Sequence, residues 1–308
     1  MTRLLQKIIV VTGATGAQGG SVVRFLLEDG SFSVRAGERH VAIINIDPSE
    51  ITQIYYLVCA ELAAKGVEVV TANLLDVESV KGAFRGAYGV FGVTYFWDPR
   101  DGGVEKEIAQ GKNLVDAAKA MNVSHFVWST LEDTSPIQVP HFDSKARIDD
   151  YLKESGVPRT SLCTSFYYEN FTGWFKLTKN AEGVVEANWP PILMSDAPIP
   201  CYAVEDTGAW VLQAFNEWIG KDIGVIAEIL TPRRVVEMLS EISGEPIKLI
   251  EINEEAFEKS KDLPGLEWCC ITNGNAGGRD FEQTKRIYPK VQSFETWAKA
   301  NIDKVLPQ

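Results

Sequence analysis

Residues 7–30 read KIIVVTGATGAQGGSVVRFLLEDG. An apolar run, Ile8 to Val11, is followed by Gly13, Gly16 and Gly19, and then by an amphipathic stretch that stops at Gly30. A short apolar run bounded by glycine reads as a buried strand, and the stretch behind it reads as a helix. Glycines spaced GxxGxxG between the two permit a tight turn and close backbone approach. The helix N-terminus that follows favours an anion such as the pyrophosphate of a dinucleotide. The same residues could also make a bare strand-to-helix turn, so the surrounding pattern has to decide.

That pattern is an alternation. VEVVTANL, YGVFGVTYF, HFVWSTL and TSLCTSF read as strands. AELAAKG, SVKGAFRGA, VEKEIAQGKNLVDAAKAMN and SKARIDDYLKESG read as the helices between them, the third with Ile108, Leu114, Ala118 and Met121 turned inward. Strands and helices alternating with short links predict an α/β fold, a Rossmann-type doubly wound parallel sheet. The rhythm breaks after about residue 165, where aromatics, prolines and asparagines crowd YYENFTGWF and ANWPPILMSDAPIP. Residues 1–165 are therefore expected to form the nucleotide-binding domain. Residues 166–308 are expected to form a smaller C-terminal α/β lobe, some of whose segments return to the first domain. TPRRVVEMLSEISG in that lobe carries threonine and proline at a helix start.

Composition narrows the function. The chain has 308 residues and a net charge of −12, so it offers no electrostatic footprint for direct nucleic-acid binding. Cys59, Cys163, Cys201, Cys269 and Cys270 show no metal-ligand spacing and read as reduced thiols. No apolar run approaches the length of a membrane span, so the expected location is cytoplasmic, with nuclear entry and oligomeric state left open.

The second strand sets the choice of dinucleotide. Residues 34–50 read VRAGERHVAIINIDPSE, which can end a strand near Ala36, with Arg39 just beyond, or run one through Val41–Ile46 to Asp47. An arginine at this strand end suits a 2′-phosphate and an acid suits a free 2′-hydroxyl, about 20 positions beyond the glycines. Arg39 lies at that distance from Gly19, and Asp47 lies too far on. The strand is therefore placed at Phe32–Ala36 and NADP(H) is expected, with NAD(H) the alternative. Glu38 complicates this, because a carboxylate turned inward would repel the phosphate.

TGATGAQGGSVVRFLL, KGVEVV, GAYGVFGVTYFW, QGKNLVDAAKAMNVSHFVWSTLED, HFDSKARIDDYLKESGVPRTSL, FYYENF and GGRDFEQTKRIYP together resemble the NmrA-like family, an atypical branch of the short-chain dehydrogenase/reductases. The resemblance spans nearly the whole chain except residues 40 to about 58. This apolar insertion could add a strand, cover the adenine or form an interface. The resemblance implies a protein that binds NADP(H) or NAD(H) and restrains a partner such as a transcription factor. Other members of the scaffold are NADPH-dependent reductases of small carbonyl, imine or quinone-type metabolites.

Carried onto this sequence, the resemblance implies a diphosphate loop of Gly13, Thr15, Gly16, Ala17, Gln18 and Gly19. It puts Arg35 and Arg39 at the 2′-phosphate, and Asn73 and Leu74 beside adenine in place of the usual aspartate and its neighbour. Thr94 falls on the nicotinamide side, Lys145 at the nicotinamide ribose and Ser129 at the end of the serine-bearing strand. Tyr95, Trp97, Tyr167, Tyr168 and Asn170 would line the substrate side.

Active relatives in the parent superfamily carry Tyr-x-x-x-Lys, one helical turn apart, so that both side chains reach one site. The lysine lowers the tyrosine pKa and the tyrosine moves the substrate proton. Here the pattern is His141-Phe142-Asp143-Ser144-Lys145, so the lysine stands and the tyrosine is a histidine. Either proton transfer is lost and the pocket senses nucleotide, or His141, Ser129, Tyr167 or Tyr168 supplies the proton.

Overall fold

The computed structural model describes residues 6–38, 50–136, 138–189, 195–251 and 279–307. Arg39, Asp47, Pro190, Cys269, Cys270, Gly277 and Gly278 lie outside the described residues.

The chain divides into two compact units. The first takes Met1–Glu132, His141–Cys163 and Thr207–Ile223. Its elements are β1 (Lys7–Thr12), α1 (Ala17–Asp29), β2 (Phe32–Glu38), α2 (Glu50–Ala64), β3 (Glu68–Thr71), α3 (Val77–Phe84), β4 (Gly89–Gly92), α4 (Val104–Ala120), β5 (His125–Thr130), α5 (Pro140–Ser155) and β6 (Arg159–Cys163). They are joined later in the chain by α6 (Thr207–Glu217) and β11 (Lys221–Gly224).

The seven strands lie in the order β11-β6-β5-β4-β1-β2-β3. The pairs β3·β2, β2·β1, β1·β4, β4·β5 and β5·β6 are all parallel. Strand order therefore reverses between β1 and β4, and the crevice beyond their carboxyl ends is where such sheets bind ligands. Both faces are covered. On one, Val80, Phe84, Leu114, Trp128, Ile148 and Leu152 share a buried cluster with Val10, Val90 and Phe126 of the sheet. On the other, α6 lies so close to α1 that a Cβ at Gly208 would fall 2.4 Å from the Ser21 carbonyl. Sealed on both faces, β1 and β5 read as near-continuous apolar runs.

Two elements depart from the sequence reading. Strand β2 continues two residues past Ala36 to Glu38. Helix α2 begins at Glu50, so the later part of the apolar insertion adds turns to the front of the AELAAKG helix.

The second unit takes Asp133–Pro140, Thr164–Asp206 and Gly224–Gln308. It holds two three-stranded sheets, β12-β10-β7 and β13-β9-β8. Their strands are β7 (Phe166–Tyr167), β8 (Thr178–Lys179), β9 (Val185–Ala187), β10 (Ile199–Tyr202), β12 (Glu228–Leu230) and β13 (Ile247–Leu249). Helix α7 (Pro232–Ser243) starts on a Thr231 hydroxyl that accepts from the Arg234 N–H, and ends at Gly244 with φ of 71°. Among the described residues, helices Phe281–Ile287 and Phe294–Val305 come later. The core here is aromatic: Tyr168, Phe171, Phe175, Trp189, Phe294 and Trp297 pack ring against ring.

Candidate functional site

The glycine loop is built tightly. Gly13 has φ of 60°, a left-handed conformation that glycine adopts without strain, and its carbonyl accepts from the Gly16 N–H at 2.9 Å. A Cβ on Gly19 would sit 2.1 Å from that same carbonyl oxygen, so helix and turn could not close with any other residue there. The Thr12 hydroxyl accepts from the Val93 N–H at 2.9 Å and fastens the loop to the end of β4. Helix α1 starts at Gly16 with no side-chain cap and no acidic residue in its first turn. A helix start with no acid in its own first turn suits a bound pyrophosphate. Of the expected loop residues, Gly13, Gly16 and Gly19 shape the turn and Ala17 opens the helix, while Thr15 gives its N–H and hydroxyl to Glu38 and Gln18 accepts from Ser129.

The other expected contacts divide. Ser129, at the end of β5, is buried and donates to the Gln18 side-chain oxygen at 2.8 Å, so this serine braces the loop. Thr94 is buried just past β4, and its hydroxyl donates to Glu107 at 2.8 Å. Lys145, on α5, sends its ammonium to Glu107 Oε1 at 2.7 Å, to the Thr94 carbonyl at 3.0 Å and to the Thr94 hydroxyl at 3.1 Å. Ser144 donates to the second Glu107 oxygen. Three acceptors occupy the three donors of an ammonium. Glu107 is fully buried, so the pair shares a desolvated pocket.

Sequence reading missed Glu107. The signal was its helical spacing with Gln110, Gly111, Leu114 and Ala118, which puts a carboxylate on the buried stripe of α4.

His141 stands one turn before Lys145 on α5. Its ring lies 5.3 Å from Trp97, 5.7 Å from Phe96 and 4.9 Å from Phe142, centroid to centroid. Burial of the ring, and then the positive charge of Lys145, pull its pKa from 6.5 down to about 4. The histidine is therefore neutral near pH 7. Trp97, against that ring, and Tyr95 are more than half exposed.

Arg35 is placed differently from the expectation. It sits mid-strand, three residues before the end of β2. Its guanidinium donates to Glu68 on β3 at 2.7 Å and to the carbonyls of Ala83 and Arg85 at 2.9 and 2.8 Å. An arginine held by three acceptors on neighbouring elements ties β2 to β3 and α3, away from the strand's carboxyl end. That end is closed by Glu38, which is 5% exposed. Its Oε1 accepts the Thr15 N–H at 2.9 Å and its Oε2 the Thr15 hydroxyl at 3.3 Å.

Asn73 is exposed and turns its side-chain oxygen onto the Leu75 N–H at 3.1 Å, shaping the turn into α3. Leu74 packs against the core cluster, and its carbonyl accepts from Asn113 at 2.8 Å.

Among the residues expected on the substrate side, Tyr168 belongs to the core of the second unit. It is fully buried, and its hydroxyl donates to Glu228 at 2.6 Å. Burial and the Glu228 charge raise its pKa well above the ordinary tyrosine value, so it is a poor proton donor. Tyr167 is half-buried with its ring against Tyr202. Asn170 is also half-buried, and its carbonyl accepts from the Gly173 and Phe175 N–H groups. Phe175 and Trp189 are buried in the aromatic core, whereas Trp174 is largely exposed. Among the described residues no cluster of histidine, cysteine and carboxylate could hold a metal, and no helix is long and apolar enough to cross a membrane.

A parallel sheet in this order, with a glycine turn running into a helix at its switch point, defines a Rossmann-type fold. The chain belongs to the NmrA-like family, whose sequence model matches residues 5–306. It is 25% identical over 96% of its length to an NmrA-like family domain-containing protein of Dictyostelium discoideum, of which it covers 98%. It is 29% identical over 79% of its length to the nitrogen metabolite repression protein of Neurospora crassa, and spans about half, 54%, of that protein. An NmrA-like family domain-containing oxidoreductase of Aspergillus campestris is 28% identical over 79% of this chain and 75% of its own. Among solved structures, NmrA, a negative transcriptional regulator, superposes with a TM-score of 0.75 at 24% identity, covering 97% of this chain and 96% of its own. That regulator has also been solved in complex with NAD and with NADP.

Proposed function

We propose that this chain binds a nicotinamide dinucleotide on the Gly13–Gly19 loop and uses its occupancy to set the affinity of a protein partner, with no turnover of a substrate. A transcription factor is the partner class that fits, because relatives named as regulators share the fold and the −12 charge disfavours direct contact with nucleic acid. The observation that carries this reading is the state of the expected acid–base pair. The ammonium of Lys145 is taken by Glu107 and Thr94, and His141, with a pKa near 4, has no proton to give at neutral pH. A hydride transfer to a carbonyl needs an acid to complete it.

Calorimetric titration with NAD⁺, NADP⁺ and NADPH tests the binding half, and no heat from any of them would remove it. Steady consumption of NADPH or NADH with small carbonyl, imine or quinone substrates would remove the regulatory half. It would establish instead the reductase reading, which relatives named as oxidoreductases and the exposed Tyr95 and Trp97 favour. In that case Lys145→Ala should abolish turnover.

A further inference from the structure

From the end of β2 we infer that Glu38 makes the site selective for NAD(H) over NADP(H), the reverse of what Arg39 suggests in the sequence. The inference rests on the dinucleotide reading above and concerns its adenosine end. In the sheet, Thr12 pairs with Gly37, so Glu38 is the first side chain of β2 past the residue that opens the glycine loop. It is also 19 positions beyond Gly19, the distance at which this fold places the residue that reads the ribose.

The strand is held in that register to its last residue. The Glu38 carbonyl accepts the Ala72 N–H at 2.7 Å, and a Cβ at Gly37 would come 3.3 Å from the Ala72 side chain. Gly37 thus lets β2 lie against the residue that follows β3, and Glu38 comes out on the loop side. Its carboxylate cannot swing aside without leaving the Thr15 N–H and hydroxyl to find other partners.

The chemistry then divides the two cofactors. An ionised carboxylate only accepts hydrogen bonds, and a ribose 2′-hydroxyl is a donor that it can hold. A 2′-phosphate offers only acceptors and brings negative charge next to a buried carboxylate, where the dielectric screens repulsion weakly.

Calorimetric titration of the full chain with NAD⁺ and NADP⁺ tests this, in the wild type and in Glu38→Gln. Glutamine keeps an acceptor for Thr15 and removes the charge, so the loop should stay braced. Wild-type protein should bind NAD⁺ tighter than NADP⁺ by on the order of tenfold or more. Glu38→Gln should narrow that ratio, chiefly by strengthening NADP⁺. NADP⁺ binding as tightly as NAD⁺ to the wild type overturns the inference and leaves the dinucleotide reading standing. So does an equal weakening of both in Glu38→Gln, which would make Glu38 a brace for the loop and no more. If neither nucleotide binds, the dinucleotide reading fails and takes this inference with it.

Discussion

At the scale of single residues, two histidines and one glycine carry sharp consequences. The Thr160 hydroxyl donates to the Trp218 carbonyl, so the 2.8 Å contact of His125 with that hydroxyl makes Nε2 the protonated nitrogen. His125 Nδ1 is then buried with no hydrogen-bond partner. Burial holds the pKa of His125 near 4, and burial with the Lys145 charge does the same for His141. Both folded values lie below the unfolded 6.5, so between about pH 6.5 and 4 the unfolded chain binds more protons and stability falls as pH falls. Each shift amounts to about 3 kcal/mol, complete only below pH 4. Urea midpoints from pH 7 to 4.5 should drop steadily, and His125→Gln should flatten the slope. An unchanged slope in that variant would contradict the buried neutral state. At Gly19 the obstacle to a side chain is backbone, 2.1 Å from a Cβ, which no rotamer change relieves. Gly19→Ala should destabilise the chain by roughly 1–3 kcal/mol. It should also weaken dinucleotide binding by at least about tenfold, because the turn that presents the loop has to move; calorimetry and thermal melts read the two effects separately.

At the scale of elements, α4 and α5 hold the buried charge and pack closely around it. A Cβ at Gly111 would lie 2.5 Å from the Ile148 side chain, so the glycine lets the two helices approach. Glu107 and Lys145 meet across them at 2.7 Å. Removing one partner of a buried pair leaves the other charge without compensation, and Glu107→Gln should lower stability by about 3–5 kcal/mol. Chemical denaturation checks this, and a loss under about 1 kcal/mol, the size of an exposed pair, would mean that solvent reaches Lys145. Elements were also where local sequence signals misled. The sequence places the end of β2 at Ala36, whereas the strand runs on through Gly37, which lies against Ala72, to Glu38. An added strand is one of three sequence readings of the insertion at 40 to about 58, since β-branched and aromatic residues favour strands, yet its later part, ITQIYYLV, lies within a helix that starts at Glu50. The glycine loop and the strand–helix alternation were legible because their signals are local. The Glu107–Lys145 pair joins residues 38 apart, and only the helical face of α4 hinted at it.

At the scale of the whole molecule, the first unit is assembled from three stretches of chain, and the last of them, Thr207–Ile223, returns after a long excursion. Its helix covers α1 and its strand borders the sheet beside β6, contacts too distant in sequence for any local pattern to announce. The alternation up to about residue 165 announced the sheet, while the identity of the returning segment depended on Gly208 meeting Ser21 and Thr160 meeting Trp218. The loop and Glu38, the groups proposed to hold the nucleotide, lie in this unit, as do Thr94, Ser129 and Lys145. A ligand that binds only the folded unit stabilises it by mass action, by about 2.7 kcal/mol at one hundred times its dissociation constant. For a chain of this size that corresponds to a rise in melting temperature of roughly 5 °C. Scanning calorimetry with saturating NAD⁺ should therefore move the transition that melts the parallel sheet. If the two units melt separately, only that transition should move. If they melt together, the single transition should shift as one. A scan in which no transition moves, at concentrations where calorimetric titration reports binding, would mean that the nucleotide does not depend on the folded first unit, contrary to a site built from its loop and strand ends.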